Sequence, residues 1–198
     1  MARTKEFDTD EVLDKAIGLF WDKGYNGCSM QDIVEGLGLS RSSIYETFGD
    51  KRQLFLEALK KYQHAGVEAL EKMVHTAPDV RHALTEIFES VFPESLNPPS
   101  QKTDPMPKGC FMVNSAIELA AHDPEIAAIV KANQQQVEGI LAKAIKKGQR
   151  SGQIAARLDA RSIARFFYTS FSGIRVMARS GADRKTMEDF IKVCLSVL

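Results

Sequence analysis

The chain has 198 residues, 44% hydrophobic and 26% charged; its 26 basic and 26 acidic side chains cancel, so any binding to nucleic acid has to come from a local surface. That length suffices for one large domain or two small ones around a real core, and the ordinary composition excludes wholesale disorder. No apolar run nears the roughly 20 residues of a membrane span, the opening MARTKEFDTDEV has no signal-peptide stretch, and the expected location is the cytoplasm.

Helical periodicity dominates. Leu13, Ala16, Ile17 and Phe20 fall at i, i+3, i+4 and i+7, which predicts a first helix over about residues 9–23. Asp8 and Glu11 have capping-box spacing at its start, and Gly24 suits its stop. Ser29 and Asp32 repeat the box before Ile33, Val34 and Leu37, and this second helix stops at 36–38. Ser40 opens a third short helix, Arg41 to Phe48, which Gly49 and Asp50 break. Asp50 and Gln53 then start a long helix with Leu54, Phe55, Ala58, Leu59 and Tyr62. Beyond 76–78 a helix through Leu84, Ile87, Phe88 and Val91 ends before Pro93. Residues 93–108 carry five prolines and read as an irregular, mobile loop. A helix over about 109–121 follows. Asp123, Pro124 and Glu125 form a strong helix start, opening a helix with Ile126, Ile129, Val137, Leu141 and Ile145 on one face and a stop near Gly152. Asp159 caps a helix carrying Ile163, Phe166, Phe167, Phe171 and Ile174 that ends at Gly181, and Met187, Phe190, Ile191, Cys194, Leu195 and Leu198 mark the last helix. With about nine helices and no strand or repeat, the fold class is all-α.

Residues 29–48, SMQDIVEGLGLSRSSIYETF, read as helix, glycine-containing turn, helix. A four-residue turn between two short helices, the second rich in small polar side chains, is the layout of a DNA-binding helix-turn-helix. Ser40, Ser42 and Ser43 let the helix backbone approach the major-groove floor, and their hydroxyls suit phosphates or base edges. Arg41 has the fork for a guanine O6/N7 pair, Tyr45 lies one turn on with a hydroxyl for a phosphate, and Lys51 neutralises another.

The segment from about residue 9 to 62 resembles the tetracycline-repressor (TetR) family of bacterial transcription regulators. The resemblance is carried by AIGLFWDKG at 16–24, YNGCSMQDI at 25–33, GLS at 38–40 and above all SIYETFGDK at 43–51, which is similar to the family's Leu-Tyr-x-x-Phe-x-x-Lys pattern with Ile44 in the Leu place. It implies an N-terminal three-helix DNA-binding domain, residues 1–52, and a C-terminal helical ligand-binding and dimerisation domain, residues 53–198. It implies a homodimer on palindromic double-stranded DNA, most often a repressor, controlled by a small-molecule effector. By the same resemblance Ser29 touches a phosphate, Arg41, Ser42 and Ser43 read bases, and Tyr45, Thr47 and Lys51 contact phosphate or base. Glu46 departs from the pattern, because a carboxylate is repelled by phosphates unless it accepts from a cytosine amino group. Residues 1–64 hold nine basic and eleven acidic side chains, and the tail with Arg3 and Lys5 offers further backbone contacts.

GCFMVNSAIELAAHDPEI at 109–126 and SGIRVMARSGA at 172–182 look like one subgroup of the family. The resemblance places the last two helices in a four-helix bundle with their symmetry mates. Phe167, Phe171, Ile174, Phe190, Ile191 and Leu195 exceed what one thin helix pair buries, so they are the expected dimer interface. Phe88, Phe92, Met112, Asn114, Ser115 and Glu118 are candidate pocket linings, with Gln134, Phe166, Tyr168 and Arg175 from later helices. Apolar walls with a few polar anchors are what such pockets need, and the loop 93–108 is a candidate lid.

Cys28, Cys110 and Cys194 are odd in number and far apart, so they form no complete disulfide set. No CxxC pair and no spacing of His64, His75, His82 and His122 suggests a metal site, and no cofactor motif appears. Cys28 and Cys194 suit packing. Cys110 follows Gly109 at a helix start, where the dipole and free N–H groups favour a thiolate, so it is a candidate sensor of electrophiles or oxidants. The expected function is a ligand-responsive transcriptional regulator. A helical enzyme competes, but GxSxG, phosphate-loop and HExxH patterns are missing. A helical interaction module without DNA also competes, on Glu46 and the acidic N-terminal balance.

Overall fold

Short oxygen-bearing side chains start almost every helix. The computed structural model describes residues 7–92 and 109–198; the predicted loop and lid at 93–108 and the tail with Arg3 and Lys5 lie outside the described residues. Among the described residues there are nine helices and no strand: α1 Thr9–Lys23, α2 Met30–Leu37, α3 Arg41–Phe48, α4 Lys51–Thr76, α5 Val80–Glu89, α6 Phe111–Leu119, α7 Pro124–Arg150, α8 Ala160–Arg179 and α9 Arg184–Leu195. Eight open on an Asp or Ser whose side chain accepts a backbone N–H of the first turn, a contact of about 1 kcal/mol. Ser29 and Asp32 close both halves of their capping box. At α1 the Asp8 carboxylate accepts from Asp10 N at 2.8 Å, so the cap forms without Glu11.

Some ends differ from the periodic reading. Helix α5 stops at Glu89, short of Val91, and α6 spans 111–119 rather than 109–121. The reason at α6 is local: Gly109 sits at φ 73° and Cys110 is extended at φ −124°, ψ 123°, so the helix cannot begin before Phe111.

Two apolar clusters hold the helices. One joins α1, α2 and α3 to the first half of α4 and also takes in Cys110 just before α6, Phe111 and Met112 of α6, and Ile126 and Ile129 of α7. Its centre is aromatic, with edge-on contacts of Phe55 with Phe20 at 5.1 Å and with Phe111 at 5.5 Å. The other cluster gathers α5, the later part of α7, α8 and α9 around Phe88, whose ring lies 4.4 Å from that of Phe171. Burying each such side chain stabilises the fold by roughly 1.5–3 kcal/mol. Helix α6 therefore shares a core with the helix-turn-helix, while α7 contributes to both clusters and α8 to the second alone.

The stripe expected at a dimer interface is divided. Phe167, Phe171, Ile174 and Ile191 are buried in the protomer, because α5 and α7 cover them. Phe190 and Leu195 are half-buried against the same cluster, while Phe166, Val176 and Val193 are the large apolar side chains left outside on α8 and α9.

Candidate nucleic-acid interface and effector cavity

Helix α3 is anchored by Ile44 and Phe48, which are buried beneath it. Arg41, Ser42, Tyr45 and Glu46 consequently stand exposed on the other side, with Ser43 and Thr47 half-buried at the flanks. Ser40 Oγ accepts from Ser43 N at 3.1 Å and lies 2.9 Å from Ser42 Oγ and 2.8 Å from Ser43 Oγ, so the three hydroxyls form one cluster at the helix start. The Arg41 guanidinium sits 6.0 Å from the centre of the Tyr45 ring, a cation–π contact that ties a candidate base reader to a candidate phosphate ligand. Gly38 at φ 67° supplies the left-handed residue that the turn between α2 and α3 requires. At the start of α2 the exposed Ser29 hydroxyl is bonded to Asp32. Lys23 grips that carboxylate, and this pair, with the Ser29 bonds, holds the Asp32 carboxyl well below its usual range. Lys51 Nζ rests 4.3 Å over the Tyr25 ring.

The turn between α1 and α2 is held from the second half of the chain. Glu118 on α6 accepts from Tyr25 N at 3.0 Å and from Asn26 N at 2.7 Å, more than ninety residues away in sequence. Gly24, at φ 74°, makes room: a Cβ there would lie 2.9 Å from Glu118 Oε2. Arg179 of α8 donates to Trp21 O at 3.2 Å and to Asp22 O at 3.5 Å, capping the C-terminal carbonyls of α1. Asn114, its amide oriented to satisfy both neighbours, accepts from Arg179 at 2.9 Å and donates to Cys110 O at 3.3 Å. Arg52, near the start of α4, makes a two-pronged contact with Asp123 at 2.9 Å and reaches Glu125 at 3.1 Å.

A cavity of about 130 Å³ lies between α4, α6, α7 and α8. Of the predicted linings, Met112, Tyr168 and Arg175 reach it, and so does Cys110. The Tyr62 hydroxyl donates to Cys110 Sγ at 3.6 Å, and burial, reinforced by Cys110, pushes this phenol far above its ordinary value. The Tyr62 ring also stands edge-on to Trp21 at 5.2 Å, so one side chain borders both the cavity and α1. Tyr62, Asn133 and Ser172 were not singled out from sequence. A signal existed: Tyr168, Ser172 and Arg175 stand at i, i+4 and i+7, on one face of the helix.

The other expected linings lie elsewhere. Phe88 is enclosed in the second core, and Phe92 borders an open groove between α5 and α9 with the Arg184 guanidinium 4.8 Å over its ring. Ser115 donates back to Phe111 O at 2.8 Å, and Gln134 donates to Glu138 at 2.8 Å. Phe166 packs on Phe167 at 5.4 Å. Asn114 and Glu118 are spent on the junction with α1. Burial pushes the Cys28 and Cys194 thiols up, as inert packing residues require.

Comparison with known proteins agrees with this geometry. Residues 12–58 match the family model of bacterial regulatory proteins, tetR family, and residues 99–194 match the tetracyclin repressor-like C-terminal domain. The HTH-type transcriptional regulator YezE of Bacillus subtilis is 34% identical over the full length of both chains. The HTH-type transcriptional repressor ComR of Escherichia coli is 30% identical over 91% of this chain and 83% of its own. A solved structure of the TetR family regulator CifR, a cysteine mutant complexed with 26-base-pair operator DNA, superposes with a TM-score of 0.80 at 26% identity over 98% of both chains. A capped helix-turn-helix locked to a helical second half, with relatives matched from end to end, makes this chain a member of the tetR family of bacterial transcriptional regulators.

Proposed function

We propose that two copies of this chain form a symmetric dimer that represses by reading a palindromic operator through α3, and that a small molecule in the cavity releases it. Residues 1–52 are the reading unit and residues 53–198 the effector and dimerisation unit. Ser40, Arg41, Ser42 and Ser43 meet base edges, and Ser29, Tyr45, Thr47 and Lys51 meet the backbone. Helices α8 and α9 carry the dimer contact, through Phe190 and Leu195 and the outward Phe166, Val176 and Val193. Such a dimer works in the cytoplasm beside the nucleoid and catalyses nothing.

The observation that carries this reading is the position of Tyr62, with its hydroxyl in the cavity and its ring against Trp21 of α1. A ligand that displaces Tyr62 disturbs α1, and any preference for the displaced state weakens DNA binding by linkage. Near-complete release requires about 5 kcal/mol of differential affinity. CifR in complex with its operator and ComR as a repressor support the same reading. The test is selection from a randomised duplex pool by the purified protein, beside a Tyr45→Ala, Lys51→Ala variant. A palindrome that the variant fails to enrich is expected. No enrichment by the folded dimer at low salt would sink the proposal.

A second reading rests on Cys110, whose thiol borders the cavity under the Tyr62 hydroxyl. N-ethylmaleimide is the probe: the sulfur bonds one alkene carbon and the thiol proton ends on the other. Operator release from the wild type but not from Cys110→Ser is expected. Equal release from both would end this reading.

A further inference from the structure

We propose that the cavity takes a small carboxylate on a compact apolar body, with Arg175 as its counter-ion. This rests on the cavity being the effector site. Its lining contains one cation, Arg175, and no Asp, Glu or Lys. Among the described residues the Arg175 guanidinium has no carboxylate or other hydrogen-bond acceptor within reach. Arg52 and Arg165, by contrast, lie against Asp123 and Glu138. Glu138, the carboxylate whose field reaches Tyr168, is occupied by Gln134 and Arg165. A guanidinium on a half-buried residue, without a protein carboxylate among the described residues, favours an anion, and its planar fork suits a carboxylate.

The rest of the lining agrees. Burial pushes the Tyr62 and Tyr168 phenols up, so neither places a negative charge against a carboxylate at physiological pH. Asn133 adds an amide beside them. Opposite these groups, Leu70, Ile87, Val137 and Phe171 form an apolar wall. A fully hydrated dianion such as inorganic phosphate gains nothing from that wall and is costly to desolvate beside it. A space of about 130 Å³ is close to one that admits a benzene-sized body.

The experiment uses the full-length protein with sodium benzoate and butyrate, their neutral partners benzamide and butyramide, and inorganic phosphate. Binding is read by calorimetry and by fluorescence of Trp21, the single tryptophan, whose ring touches Tyr62. At least one carboxylate is expected to bind tenfold or more tightly than its amide, and phosphate to bind weakly or not at all. Arg175→Met should erase the preference while leaving amide binding and the melting temperature unchanged, and Arg175→Lys should keep part of it. Equal binding of acid and amide, binding of neither, preference for phosphate, or a preference that survives Arg175→Met would each overturn the inference. Operator binding is followed in parallel. A carboxylate that binds through Arg175 without changing operator affinity upholds the ligand class and refutes the effector reading. Operator release by other compounds without a carboxylate preference does the reverse.

Discussion

Removing the Glu118 carboxylate asks whether α6 holds the DNA-reading unit in place. In Glu118→Ala two bonds are lost together, 2.7 Å to Asn26 N and 3.0 Å to Tyr25 N. A hydrogen bond to a charged group contributes about 1.5–3 kcal/mol. The Asn26 end is exposed and water replaces it, whereas the Tyr25 end is partly buried. The expected net loss is therefore about one such bond, ~1.5–3 kcal/mol. In a chain of this size each kcal/mol lowers the melting temperature by roughly 2–4 °C, so calorimetry should show a fall of about 3–12 °C. Tyr25 also carries Lys51 on its ring at 4.3 Å and packs against Phe55 at 5.0 Å. Slack in the turn thus reaches a proposed phosphate contact. Operator binding should weaken about 2–5-fold per subunit, the worth of an exposed cation–π contact. Gly24→Ala provides the control, since it adds strain at φ 74° and a clash at 2.9 Å with the same carboxylate. With Glu118 already removed the clash is gone, so the two costs should fall short of additivity by about 0.5–1 kcal/mol. A Glu118→Ala protein within about 0.5 kcal/mol of wild type, with unchanged operator affinity, refutes the clamp.

Three further outcomes are expected. Lys51→Ala should weaken operator and random DNA alike and reduce the salt slope by about 1 per subunit; an unchanged slope places Lys51 away from the phosphates. Phe88→Ala, in the centre of the second core, should cost about 3–5 kcal/mol in denaturant unfolding, and a loss below 1 kcal/mol would mean that the aromatic cluster repacks. Lys23 and Ser29 hold the Asp32 carboxyl below its ordinary 3.8, so the stability it contributes is complete above that pH and drains away as pH falls further. The stability gap between wild type and Asp32→Asn should accordingly be level from about pH 7 to 5 and shrink below about pH 4; a gap that widens on acidification refutes the assignment.

Most helix starts were legible in the sequence because caps act within three or four residues of themselves. Asp8, Ser29, Ser40, Asp50, Asp123 and Asp159 each begin the helix that their spacing predicts. The face of α3 was legible for the same reason, since Ile44 and Phe48 at i and i+4 leave Arg41, Ser42 and Tyr45 on the other side.

What periodicity could not supply was the partner of each face. Phe167, Phe171 and Ile174 mark an apolar stripe equally well whether a second protomer or α5 covers it, and in this fold α5 and α7 cover it. Glu118 reads locally as a polar residue on an apolar helix; only the packing of α6 against α1 turns it from a cavity lining into a cap on a turn more than ninety residues away. Tyr62, three residues past Leu59 on α4, reads as core until Cys110 and Trp21 are seen on its two sides. The sequence by itself determined the all-α class, most helix starts and which face of α3 is left exposed, because propensity, capping and periodicity are short-range. The tertiary structure alone decided which polar side chains line the cavity and which lock it to the reading unit, because those contacts join residues that no local pattern relates.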